Sequence, residues 1–158
     1  MNPSFIYVVR HAEAGQRGRR PGPDLARPLS RGGRLQAATL VELFSDEPFT
    51  QLLSSPFLRC VETFEPLAAA RGLPIEARDE LAEGQPWEYL QKTVLESEGE
   101  GSTAICVHGD AIRELMRDLA DRGVRPGRGN FRKGSTWVLG VSDGAIVSAR
   151  HVPAPAAE

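Results

Sequence analysis

Two of the three histidines in the 158 residues stand at matching places. Arg10 and His11 directly follow the apolar run Phe5 to Val9, and His108, Gly109 and Asp110 directly follow Thr103 to Val107. Both runs are rich in Val, Ile and small apolar residues and too short for a globular helix, so each reads as a strand buried on both faces. In open α/β sheets ligands bind beyond the carboxyl ends of the strands. A neutral imidazole there can attack phosphorus through one ring nitrogen while a hydrogen bond fixes the other. Its ordinary pKa of about 6.5 leaves much of it neutral near pH 7. Guanidinium groups stay cationic and match phosphate oxygens two at a time. Arg10 is one such group, and Arg59, which follows Ser54, Ser55 and Pro56, is a second. A carboxyl group within reach could protonate a leaving oxygen, and Glu83, in the loop after Leu81, is the best placed in the sequence. The chemistry these residues permit is phosphoryl transfer.

The elements that must position them alternate between strand and helix. After the first strand comes a Gly- and Pro-rich loop, Ala14 to Pro28, carrying Arg17, Arg19, Arg20 and Arg27 against a single Asp24. Ser30 is placed to cap a helix whose apolar face is Ala37, Leu40, Val41 and Phe44, ending near Asp46. A short strand over Gln51 to Leu53 leads to Ser54, Ser55 and Pro56, read as a cap and a first-turn proline. The helix after it has Phe57, Val61, Phe64 and Ala68 on one face and a kink expected at Pro66. Arg59 then lies by free backbone N–H groups that favour an anion.

Asp79 to Gln85 reads as loop, Pro86 as the opening of a helix with Trp87, Leu90 and Val94 inward, and Glu96 to Gly101 as a solvated turn. Ile112, Leu115, Met116 and Leu119 define a core-facing helix after His108. Arg125 to Gly134 is a second Gly- and Arg-rich loop, followed by a hairpin of Thr136–Val141 and Ala145–Arg150. Residues 1–152 are expected to form a single domain, with 153–158 a frayed tail. His151 reads as a surface residue.

Composition limits the alternatives. With 41% hydrophobic and 25% charged residues and a formal net charge of -2, the chain has no overall basic field for nucleic acid or an anionic membrane. Nearly all its positive charge is arginine, because Lys92 and Lys133 are the only lysines. Cys60 and Cys106 lack the spacing of a zinc site or disulfide framework and read as packed thiols. No stretch reaches membrane-spanning length and the N-terminus enters a strand directly, so a cytoplasmic protein is expected.

The ordered set of motifs resembles the histidine phosphatase superfamily, which includes phosphoglycerate mutases, acid phosphatases and small phosphohistidine phosphatases of the SixA type. The matching pieces are Val9-Arg10-His11-Ala12, Leu29-Ser30-Arg31-Gly32-Gly33-Arg34-Leu35-Gln36-Ala37, Ser54 through Thr63, Leu81-Ala82-Glu83, and Val107-His108-Gly109. The resemblance implies a three-layer α/β/α sandwich on a mostly parallel sheet, as in phosphoglycerate mutase. It makes His11 the nucleophile that becomes phosphohistidine, groups Arg10, Arg59 and His108 around the phosphate, and assigns proton transfer to Glu83, with Glu80 or Glu13 as alternatives. No metal or organic cofactor is implied. Ala12 stands where many members carry Gly, a change shared by SixA-like and Nudix-associated members.

Arg17 and Gly109 extend the expected substrate-binding surface, and Thr63, Ser55 and Asp110 are read as supports. The chain lacks the long insertions that form substrate lids in mutases and acid phosphatases, so an open site is expected. Its substrate would be a phosphohistidine protein or a small phosphate ester. Two other readings stand beside the phosphatase: a mutase, which needs a closed pocket to keep water from its intermediate, and a non-catalytic phosphate- or nucleic-acid-binding module using the Arg17 to Arg20 cluster.

Overall fold

Side chains alternate faces along a strand, so Ile6 and Val8 point one way and Tyr7 and Val9 the other. All four are buried, which requires both faces of that strand to be covered. The computed structural model describes residues 2–19, 21–99 and 101–158. Its elements are β1 (Ser4–Arg10), α1 (Arg31–Leu43), β2 (Phe49–Ser54), α2 (Leu58–Arg71), β3 (Ile75–Ala77), α3 (Glu88–Glu96), β4 (Ser102–Val107), α4 (Gly109–Asp121), β5 (Thr136–Ser142) and β6 (Ala145–Val152). Single 3-10 turns at Asp24–Ala26 and Asp79–Leu81 punctuate the loops.

The six strands form one sheet in the order β3-β2-β4-β1-β5-β6. The first four run parallel, and the β5–β6 hairpin adds to β1 antiparallel. Leu90 and Val94 of α3 and Ile112, Leu115, Met116 and Leu119 of α4 pack on the side of Ile6 and Val8. On the side of Tyr7 and Val9, Leu40 of α1 and Cys60, Phe64 and Leu67 of α2 build a second core, with Phe44 and Phe49 edge-on to Tyr7. The result is the expected α/β/α sandwich with a mostly parallel sheet, and both cysteines are buried as expected. Among the described residues no helix is long and apolar enough to cross a membrane.

Several local expectations need correction. Helix α2 begins at Leu58 and not at the Ser54–Pro56 segment, because Ser55 N–H still pairs with the Cys106 carbonyl at 2.9 Å and prolongs the β2–β4 ladder. It then runs to Arg71 through Pro66 as one element and ends at Gly72, whose φ of 65° needs a residue without Cβ. Strand β3, only three residues long, has no readable alternation and owes its existence to pairing with β2. Residues 153–158 are not frayed. They lie along α1, where Gln36 Nε2 donates to the Pro155 carbonyl at 2.9 Å and Ala157 packs on Gly32. The polar end of Gln36, otherwise a buried amide, supplies the reason. His151 is half-buried, its ring 4.9 Å from that of Trp137 and its Nε2 accepting from Asn130 N–H.

Candidate active site

Because β1 and β4 are parallel neighbours in register, Arg10 beside Val107, the residues that follow them emerge side by side. His11 N–H donates to the Val107 carbonyl at 3.1 Å, and the rings of His11 and His108 stand 5.5 Å apart. Strand pairing alone thus joins positions 11 and 108.

His11 is 4% exposed. Its Nδ1 lies 2.8 Å from its neighbour's carbonyl, that of Ala12. A carbonyl can only accept, so Nδ1 carries the ring hydrogen and Nε2 presents its lone pair. Arg59 Nε is 3.4 Å from that nitrogen. Burial pushes the imidazole pKa down to about 3, and the neighbouring His108, Arg59 and Arg10 push the same way. The ring is therefore neutral throughout the physiological range. Its backbone is pinned: Ala12 N–H donates to Thr63 Oγ1 at 2.9 Å, and Thr63 donates on to the Arg59 carbonyl at 2.7 Å. Gly33 lets the first turn of α1 press on the following residues, since a Cβ there would lie 1.8 Å from the Glu13 carbonyl oxygen.

Arg59 is 1% exposed and stacks on Phe57, 4.8 Å from guanidinium carbon to ring centre. Its Nη2 pairs with Glu83 Oε2 and, at 3.2 Å, with Asp24 Oδ2. Arg10 Nη1 donates to the Phe131 carbonyl at 2.5 Å, while its Nε is buried without a partner. Burial and then the charge of Arg113 lower the Arg10 pKa. Ser55 Oγ accepts from Phe57 N–H and lies 2.8 Å from His108 Nε2. Nδ1 of the same ring faces Glu83 Oε2 at 3.5 Å. That nitrogen too has no hydrogen-bond partner.

Arg10, His11, Arg59, Glu83 and His108 line one cleft of about 370 Å³, together with Gly15, Gln16, Arg17, Arg27, Gly109, Asp110, Arg113 and Lys133. The phosphate-binding candidates read from the sequence, Arg10, His11, Arg59 and His108, meet here, and so do Glu83, Arg17 and Gly109. Of the three carboxylates considered for proton transfer only Glu83 borders the cleft; Glu80 and Glu13 border other hollows. Ser55 and Thr63 hold His108 and His11, and Asp110 accepts from Gly84 N–H beside Glu83. Arg19 does not line the cleft, and Arg20 lies outside the described residues.

The mouth is less open than expected. Arg17, itself 61% exposed, spans from Glu83 Oε1 at 2.6 Å to Asp24 Oδ2 at 3.0 Å. Sequence reasoning passed over Asp24, which binds Arg17, Arg27 and Arg59 together. Burial pushes its carboxyl up, but the bond to Arg27 and the charges of Arg59, Arg27 and Arg17 outweigh this and hold it below the ordinary carboxylate range. The signal was present, one acid in a loop of four arginines. Arg113 and Lys133 also escaped notice; nothing in their local spacing distinguishes them from solvated charge. Among the described residues no cluster of three or more His, Cys, Asp or Glu side chains is placed to hold a metal ion.

Comparison with known proteins places the fold and the family. The chain is 38% identical over 155 residues to a protein of Mycolicibacterium smegmatis named 8-oxo-(d)GTP phosphatase, matching 95% of this chain but spanning only 48% of that relative. Among solved structures, a putative phosphohistidine phosphatase SixA from Agrobacterium tumefaciens superposes with a TM-score of 0.70 at 21% identity, covering 89% of this chain and 93% of that one. The protein histidine phosphatase SixA complexed with tungstate gives a TM-score of 0.66 at 22% identity, covering 97% of each chain. These two share the phosphoglycerate mutase-like fold with this chain. Residues 6–98 match the family model of the histidine phosphatase superfamily, branch 1. With that match across more than half its length, the chain belongs to the histidine phosphatase superfamily.

Proposed function

We propose that this chain is a phosphatase that works through a phosphohistidine at His11. The observation that carries the reading is the bond from His11 Nδ1 to the Ala12 carbonyl, which leaves a neutral Nε2 beside Arg59 and His108 on the floor of the cationic cleft. Nε2 forms the new bond to phosphorus while the P–O or P–N bond to the leaving group breaks and takes its electron pair with it. Arg10, Arg59 and His108 hold the equatorial oxygens, where charge develops. Phosphate oxygens that take over Arg59 release Glu83, which accepts the proton carried in by the phosphate monoanion and passes it to the leaving atom. Water next attacks the phosphohistidine, with Glu83 as base, and returns the imidazole and orthophosphate.

A protein phosphohistidine is one fitting substrate. A nucleotide phosphate is the other, and the name of the Mycolicibacterium smegmatis relative supports it. Hydrolysis of p-nitrophenyl phosphate in EDTA, with His11→Ala alongside, tests the catalytic reading. Chelator-resistant turnover lost in His11→Ala is expected; turnover that survives the substitution refutes it. Acid-labile labelling of the wild type by a 32P-substrate, absent in the variant, identifies the intermediate.

A further inference from the structure

The cleft carries more positive charge than one phosphate monoester uses. Arg10, Arg17, Arg27, Arg59, Arg113 and Lys133 line it, against Glu83 and Asp110. The acids are unevenly shared. Glu83 and Asp24 between them pair with Arg17, Arg27 and Arg59. Among the described residues Arg10, Arg113 and Lys133 make no ion pair at all.

Those three cations are brought together by construction. A Cβ on Gly109 would lie 2.9 Å from Arg10 Cζ and 3.1 Å from Arg113 Nη1, so two guanidinium groups crowd one point. The loop opposite holds both: Phe131 gives its carbonyl to Arg10 and its ring to Arg113, 5.6 Å from the guanidinium carbon. Lys133 follows two residues later. Its carbonyl accepts from Gln36, and Gly134 N–H beside it donates to the carbonyls of Arg10 and His11. Burial lowers the Lys133 pKa, and the charges of Arg10 and Arg27 lower it further. Like charges gathered on one side of a cleft repel, and an anion among them relieves the repulsion.

We infer that Arg113 and Lys133, on the far side of the Arg10 that borders the transferred phosphate, form a subsite for a second phosphate that is not transferred, so that the substrate ends in a diphosphate. This rests on the reading of His11 as nucleophile. The terminal phosphorus bonds to His11 Nε2, the bridging P–O bond breaks, and its electron pair leaves on a monophosphate. Water then cleaves the N–P bond and releases orthophosphate. A phosphate leaves as a stable anion and makes little demand on a proton donor, which suits a Glu83 whose oxygens are both engaged by arginines.

Two measurements test it. Binding of pyrophosphate and orthophosphate to the His11→Ala protein is compared by calorimetry, with and without Arg113→Ala or Lys133→Ala added. Pyrophosphate is expected to bind at least about tenfold more tightly, the worth of one hydrogen bond to a charged group, and either added change is expected to erase most of that preference. Equal affinities, or a preference that both changes leave intact, overturn the subsite. In turnover, kcat/KM for adenosine diphosphate should exceed that for adenosine monophosphate, and Arg113→Ala should shrink the ratio through KM. Hydrolysis of both at equal efficiency, with His11-dependent turnover of p-nitrophenyl phosphate preserved, overturns the subsite alone. Loss of the His11 dependence overturns the phosphatase reading instead, and the binding comparison still decides the subsite.

Discussion

Acid should destabilise this protein through His11, and the size of the effect follows from its burial. The folded imidazole titrates at about 3 against an ordinary 6.5. Between those values the unfolded chain binds a proton that the folded chain refuses, so stability rises with pH across the window and falls as pH drops below 6.5. At pH 5 the gap amounts to about 1.5 pKa units, or about 2 kcal/mol from this one residue. Urea denaturation at pH 7 and pH 5 on wild type and His11→Asn reads the term. Asn places an amide N–H near the position of Nδ1 and can keep the bond to the Ala12 carbonyl, but it does not titrate. The variant should lose about 2 kcal/mol less than wild type over that interval, a difference that cancels the other titrating groups. The same shift keeps the His11 imidazole neutral, whereas an imidazole of ordinary pKa would be only about 3% neutral at pH 5. Identical acid sensitivity in the two proteins, or a His11 ring seen by 15N NMR to titrate near 6.5, would refute the argument.

Other consequences are local. Thr63→Val removes the acceptor of the Ala12 N–H; the buried orphan should cost about 1–3 kcal/mol by urea denaturation and lower kcat with it. Gly33→Ala sets a Cβ against the Glu13 carbonyl, backbone meeting backbone, and should destabilise by about 3 kcal/mol in the same assay. Ser55→Ala frees the His108 ring from the hydroxyl that orients it, and affinity for vanadate, measured by inhibition, should fall about tenfold.

Much of this molecule is legible before folding is considered. The apolar runs before His11 and His108 become neighbouring buried strands, the three-four spacing of Ile112, Leu115, Met116 and Leu119 becomes the inner face of α4, and Ser30 caps α1 through its bond to Gly33 N–H. Such features are local, written in periods and caps that any short window contains. What failed was set by pairing at a distance: β3 exists because β2 accepts it, α2 starts late because Ser55 stays in the ladder, and the tail is ordered because Gln36 takes its carbonyl.

The residues that meet in the cleft were thus legible from their order and the family motifs, because residues that directly follow neighbouring parallel strands emerge side by side. Their charge states and pairings were not. The neutrality of His11 comes from burial and from three cationic or imidazole neighbours, all but one distant in sequence. The presence of Glu83, and not Glu80 or Glu13, at the cleft, the bracing of Arg59 by Asp24, and the gathering of Arg113 and Lys133 around Arg10 likewise arise only when separate loops share one cleft. Electrostatic energy depends on distance through space, and distance along the chain does not report it.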